Sequence, residues 1–214
     1  MKFYNADNME VMKIFKDKEF DLAIVDPPYQ NNDAIGIKDN TGIKKQATKR
    51  TNYKQFENIA PTDEYWQELK RISKNQIVWG GNFFGLKGGV IAWNKNGTAF
   101  GEGEIAICTT HNSVKFFEYT WNGMLQGNMK NKEIRVHPTQ KPIQLYEWIL
   151  NKYANKNDKI IDTHLGSNSI GIAIEKANRL DKMNLTFTGI EMDVDYFNAG
   201  IKRLDEYCRQ KTLF

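Results

Sequence analysis

A chain of 214 residues that is 40% hydrophobic and 26% charged has the composition of a globular protein able to bury one sizeable core. It contains no apolar run near the roughly 20 residues that cross a bilayer as a helix, so no membrane association is expected, and its two cysteines, Cys108 and Cys208, exclude a disulfide-stapled scaffold. The formal charge of +4 permits a polyanionic partner without requiring one.

Phe3 to Asn8 is expected as a short strand, and Met9 to Phe15 as a helix with Met9, Met12 and Phe15 at helical spacing. Asp21 to Val25, Asp-Leu-Ala-Ile-Val, is an apolar run too short for a helix and suits a strand buried on both faces. The strand must stop at Asp26, because Pro27 and Pro28 cannot donate to a ladder. Residues 30–58 show no sustained period. They carry Lys38, Lys44, Lys45, Lys49, Arg50 and Lys54 against the acid Asp39 within residues 38–54, so a long basic loop is expected. Thr62 to Ile72 reads as a helix capped by Thr62 or Asp63, with Tyr65, Trp66, Leu69 and Ile72 facing inward. Gln76 to Trp79, Val90 to Trp93 and Glu104 to Thr109 read as strands. Then follow a helix over Pro142 to Tyr153, a strand Lys159 to Asp162, a glycine-containing turn, a helix Ser169 to Ala177, a strand Thr186 to Ile190 and a helix Asp195 to Tyr207. Strands alternating with helices predict an α/β fold with a doubly wound, mostly parallel sheet. No repeat or linker divides it, so residues 1–214 are read as one domain.

Ligands in such sheets bind beyond the carboxyl ends of strands, and two strand ends carry unusual chemistry. One is Asp162-Thr163-His164-Leu165-Gly166-Ser167-Asn168-Ser169, a tight turn leading into a helix amino end whose free N–H groups favour a carboxylate. Downstream, Glu191-Met192 closes the next strand with an acid, the placement that holds ribose hydroxyls in nucleoside-binding sheets. No Gly-Lys-Ser or Gly-Lys-Thr occurs, which argues against a nucleoside triphosphate and for a nucleoside with a charged amino-acid tail. The other end is Asp26-Pro27-Pro28-Tyr29. Asp26 and the Pro27 carbonyl offer two acceptors for a planar exocyclic amine, and Tyr29 offers a stacking face. Acceptors placed in advance stabilise positive charge developing on nitrogen as it attacks a sulfonium methyl. Cys108 and His111 have metal-ligand spacing, but without a second pair no metal is expected.

The Asp26-Pro27-Pro28-Tyr29 segment resembles the catalytic motif of amino-methylating DNA methyltransferases, and Asp162 to Ser169 resembles their cofactor loop. His137-Pro138-Thr139-Gln140-Lys141-Pro142 stands between them, the motif order of the permuted beta class. The resemblance runs over nearly the whole chain, including Ile77 to Phe83 and Trp121-Asn122-Gly123, and implies a Rossmann-like adenine-N6 enzyme that uses S-adenosylmethionine on double-stranded DNA. It implies that Thr139, Gln140 and Lys141 lie by the methionine carboxylate, that Glu191 holds the ribose, and that Asp7 and Asn8 edge the cofactor adenine. Asp26, Asp162, Thr163, His164, Gly166, Ser167, Asn168, Ser169 and Met192 complete the expected cofactor site.

Two positions depart from the pattern. His164 replaces the usual phenylalanine, which predicts altered aromatic packing and weaker cofactor binding, and Asn168 stands where many members have glycine, a change a left-handed turn tolerates. Leu125 to Val136 is short where larger members insert a target-recognition segment. Recognition must therefore use that stub, the basic loop through Lys44, Lys45, Lys49 and Arg50 as phosphate contacts, or a partner subunit such as a second copy or a restriction or specificity protein. The alternatives are cytosine-N4 methylation, which a serine at position 26 would have favoured, and a catalytically inactive DNA-binding subunit. The early acids Asp7, Glu10 and Asp21 do not suit a secretory signal, so a cytoplasmic protein of bacterial or phage origin is expected.

Overall fold

The computed structural model describes residues 1–28, 59–97, 101–122 and 125–209. Eight strands form a single sheet: β1 Lys2–Asn5, β2 Phe20–Val25, β3 Ser73–Trp79, β4 Gly89–Asn94, β5 Gly103–Cys108, β6 Val114–Glu118, β7 Lys159–Asp162 and β8 Thr186–Glu191. Their order is β1-β8-β7-β2-β3-β5-β4-β6, and β5 alone among them runs against its neighbours. The helices are α1 Asn8–Met12, α2 Asp63–Ile72, α3 Ile143–Tyr153, α4 Ser169–Leu180 and α5 Val194–Arg209, with a 3-10 turn at Gly81–Phe84. From β2 the chain crosses through α2 to β3 on one side, whereas from β7 it crosses through α4 to β8 on the other. The order therefore reverses between β2 and β7, and a crevice opens beyond their carboxyl ends. Asp26 and Asp162 stand there.

Alternation along the central strands builds two core layers. Leu22, Ile24, Ile77, Trp79 and Ile91 pack against Leu145, Ile149, Ile170 and Ile174 of α3 and α4. Ala23, Val25, Val78, Ile161 and Ile190 turn the other way, onto Val11 and Met12 of α1 and Tyr65, Leu69 and Ile72 of α2. The predicted inner stripe of α2 is thus the buried one, and each such aliphatic side chain contributes about 1.5–3 kcal/mol by leaving water.

Three local expectations differ from what is observed. β1 ends at Asn5 and α1 begins at Asn8, because Asp7 turns its carboxylate onto the amides of Met9 at 2.8 Å and Glu10 at 3.2 Å and so starts the helix early. Thr62 occupies the N-cap of α2 without a side-chain capping bond. β6 was not expected at all. It is a five-residue edge strand whose ladder comes from β4 alone, with Phe117 buried and Phe116 68% exposed.

Candidate active site

The centre of the crevice is an ionic chain. Lys141 is 4% exposed, and its Nζ lies 2.5 Å from Asp26 Oδ2, 3.0 Å from Glu104 Oε2 and 5.3 Å from the centre of the Trp79 ring. Glu104 Oε1 in turn pairs with Lys95. Strand parity explains the meeting: Asp26 continues the Leu22–Ile24 face of β2, and Glu104 shares the inward face of β5 with Ala106 and Cys108. Burial, with Glu104 adding to it, holds the Asp26 carboxyl above the usual carboxylate range despite the Lys141 ammonium. Burial pushes Glu104 up as well, yet Lys141 and Lys95 outweigh it and bring Glu104 down to about 2. Asp26 Oδ1 is buried and finds no hydrogen-bond partner among the described residues. An acceptor left in that state is costly unless something else supplies the donor.

Beside it lies the second strand end. Asp162 accepts the His164 amide at 2.9 Å, and burial pushes its carboxyl up to about 8. Gly166 has φ +48, a left-handed value that favours glycine, and a Cβ there would come 3.7 Å from the His137 ring. Glu191 anchors the turn, accepting the Gly166 amide at 2.8 Å and the Asp193 amide at 3.0 Å. Asn168 adopts φ 56 at the N-cap of α4 and makes no side-chain capping bond, so the first amides of that helix keep their donors. A strand-end acid, a glycine turn and a helix amino end suit a nucleoside bearing an amino-acid tail, and these residues fit S-adenosylmethionine on that chemistry.

The predicted residues converge from distant parts of the chain. Ser169 Oγ donates to the Lys141 carbonyl at 2.7 Å, which ties the Thr139-Gln140-Lys141 segment to the cofactor turn. Asn8 Nδ2 reaches the Thr163 carbonyl at 3.4 Å and His164 Nε2 at 3.1 Å. Tyr65 bonds Thr163 Oγ1 at 2.7 Å and meets the His164 ring edge-on at 5.3 Å, so the aromatic contact that His164 put in question is kept. Other predicted residues face elsewhere. Gln140 is buried with its amide on Val136 and Glu133, Asn168 Nδ2 donates to the Gly200 carbonyl, Ser167 is buried beside Ser169, Thr139 is bonded to His137, and Met192 is 71% exposed at the rim. Pro27 is buried and Pro28 half-buried. Tyr29 and the basic loop with Lys44, Lys45, Lys49 and Arg50 lie outside the described residues.

Four contributors were missed. Glu104 broke the apolar face of its strand, a signal that could have been read. Asn5 donates to the carbonyls of Glu191 and Met192, fixing the end of β8. Glu133 and Arg203 pair beneath the turn, with Arg203 also donating to the Ser167 carbonyl and Ser169 Oγ, and neither residue has a local pattern that announces this. Among the described residues no cluster of His, Cys, Asp and Glu could hold a metal ion, and no helix is long and apolar enough to cross a membrane.

The chain is similar to known DNA methyltransferases. A family model described as DNA methylase, covering N6 and N4 enzymes, matches residues 91–202. The type II methyltransferase M2.MboI of Moraxella bovis is 23% identical over 247 residues, a match covering 95% of this chain and 87% of that protein. The crystal structure of the M1.HpyAVI–SAM complex superposes with a TM-score of 0.56 at 21% identity, covering 94% of this chain and 98% of the other. The cytosine-N4-specific PvuII DNA methyltransferase superposes at 0.60 with 12% identity, covering 97% and 89%. At these identities the two structures establish the Rossmann-like methyltransferase fold and nothing finer.

Proposed function

Since this chain belongs to the family of N6 and N4 DNA methylases, S-adenosylmethionine-dependent enzymes, we propose that it methylates N6 of an adenine turned out of duplex DNA. One observation carries the reading: Asp26 Oδ1, a buried acceptor with no partner among the described residues, at the carboxyl end of β2 and beside the cofactor turn. An exocyclic amine is the donor that would complete it.

When bound, S-adenosylmethionine supplies a sulfonium-activated methyl group. Glu191, already held by two amides, orients its remaining lone pairs for ribose hydroxyls, while Asp7 and Asn8 border the adenine end. The turn from Asp162 through Thr163, His164, Gly166 and Ser169 shapes the floor, with Ser167 and Asn168 contributing backbone alone, Met192 the rim, and Lys141 with the backbone of Thr139 and Gln140 the methionine end. Asp26 Oδ1 and the Pro27 carbonyl accept the two N–H bonds of the target amine, Pro28 stiffens the turn, and Tyr29 stacks on the base. The amine nitrogen would form its bond to the methyl carbon as the carbon–sulfur bond breaks and sulfur keeps the pair, and the proton that nitrogen must then lose would go to Asp26, the base beside it. Alignment rather than strong acid or base chemistry sets the rate. Lys44, Lys45, Lys49 and Arg50 contact phosphates, and recognition is shared with Leu125 to Val136 or a partner subunit. A carboxylate at position 26, where serine would suit cytosine, favours adenine.

Nucleoside analysis of DNA from cells expressing the protein tests this reading. N6-methyladenine should appear, and N4-methylcytosine in its place would overturn the choice of base. Asp26→Ala should lower methyl transfer by ~10²–10³, the cost of one preorganised partner, while calorimetry shows cofactor affinity preserved. Wild-type turnover in that variant would remove Asp26 from the chemistry.

A further inference from the structure

The Lys141 ammonium raises a difficulty that the reaction must resolve. A carboxylate whose charge is neutralised by a buried ammonium is a weaker acceptor for a second donor, yet Asp26 must receive the amine. Lys141 has two carboxylates within reach, at 2.5 Å and 3.0 Å, and one of them lies on a strand with no part in the proposed cofactor site. We propose that Glu104 is a positioning residue for methyl transfer, drawing the Lys141 ammonium partly off Asp26 so that Oδ1 stays open to the reacting amine. This rests on the adenine-methylating reading of the site.

Charge alternation makes the arrangement self-consistent. Asp26, Lys141, Glu104 and Lys95 run negative, positive, negative, positive, so the buried chain is neutral as a whole. Lys95 fixes one oxygen of Glu104 and leaves the other to Lys141, and stacking of Lys95 over Trp93, 4.7 Å from the ring centre, holds that end still. Among the described residues, the other ionisable groups facing Asp26 are Asp162 at the end of β7 and Tyr146 of α3. Burial keeps both of them largely uncharged near neutral pH, so among these groups Glu104, with Lys95 behind it, is the anion that draws Lys141 away from Asp26.

Two variants should move Asp26 in opposite directions. In Glu104→Gln the neighbouring negative charge is gone, and the Asp26 carboxyl should titrate at lower pH, followed by carbon-13 NMR of the carboxyl in the cofactor-free protein. In Lys95→Met a cation is gone, and Asp26 should titrate at higher pH. With saturating DNA, kcat of Glu104→Gln should fall on the order of tenfold, less than the loss from Asp26→Ala, with KM for S-adenosylmethionine within about twofold and partial recovery in Glu104→Asp. An Asp26 titration unmoved in both variants overturns the proposal, as does an unchanged kcat in Glu104→Gln. A kcat lowered only in proportion to a lost folded fraction also overturns it, because Glu104 would then be merely structural. Should the parent protein leave adenine unmethylated, the functional reading fails, while the NMR arm still decides whether Glu104 governs Asp26.

Discussion

His164 sits where the resembled enzymes carry phenylalanine, and its ring is enclosed by Tyr65, Thr163 and Asn8. Burial lowers its pKa to about 4. The unfolded chain binds a proton on this ring below about 6.5, whereas the native ring stays neutral until about 4, so stability is lost as pH falls through that window. His164→Phe cannot take the proton. Relative to the parent, the variant should therefore gain on the order of 2 kcal/mol between pH 7 and pH 4.5, whatever it loses in hydrogen bonds, as read from urea unfolding at the two pH values. Parallel pH dependence of the two proteins would show that the histidine protonates freely in the native state.

Between elements, the turn before α4 is held from below by α5. Gly200 lets that helix approach so closely that a Cβ would come 2.9 Å from the Gly166 carbonyl oxygen, and Arg203 then reaches Ser167, Ser169 and Glu133. The Arg203 and Glu133 side chains are 11% and 9% exposed, so Arg203→Met strands a buried carboxylate and should cost about 3–5 kcal/mol in urea unfolding. Replacing Glu133 with leucine as well should restore much of the loss, and no recovery would mean that the arginine acts through packing alone. This layer is also where reading from sequence ran out. β2 with its Asp-Pro-Pro stop, the inner stripe of α2 and the turn before α4 were visible because each is set by neighbours a few residues away. The same holds for the acid at the end of β8. The partnership of Glu104 with Lys141, and of Glu133 with Arg203, joins residues far apart in the chain, and only the tertiary fold brings them together. Edge strand β6, with Val114, Phe116 and Phe117 in five residues, is too short a run to set a clear period.

For the molecule as a whole, the site gathers the ends of β2, β7 and β8 with the starts of α3 and α4, so a bound cofactor should stabilise the entire fold. At 100 times Kd the linkage is about 2.7 kcal/mol, and thermal melting with and without S-adenosylmethionine should show it as a rise of several degrees. Glu191→Ala should lose most of that rise, and calorimetry should show weaker binding. A full shift in the variant would mean that the ribose is held elsewhere. The position of β2 has a further consequence, for how the chain comes to be folded. β2 can pair with β3 soon after both are made, but its other neighbour, β7, begins at Lys159, 134 residues beyond Val25. Until that segment arrives, a nascent chain carries an apolar strand with one bare edge, and pairing across so long a loop is slow. During synthesis the strand that ends in Asp26 is therefore open to edge-to-edge aggregation until β7 is made.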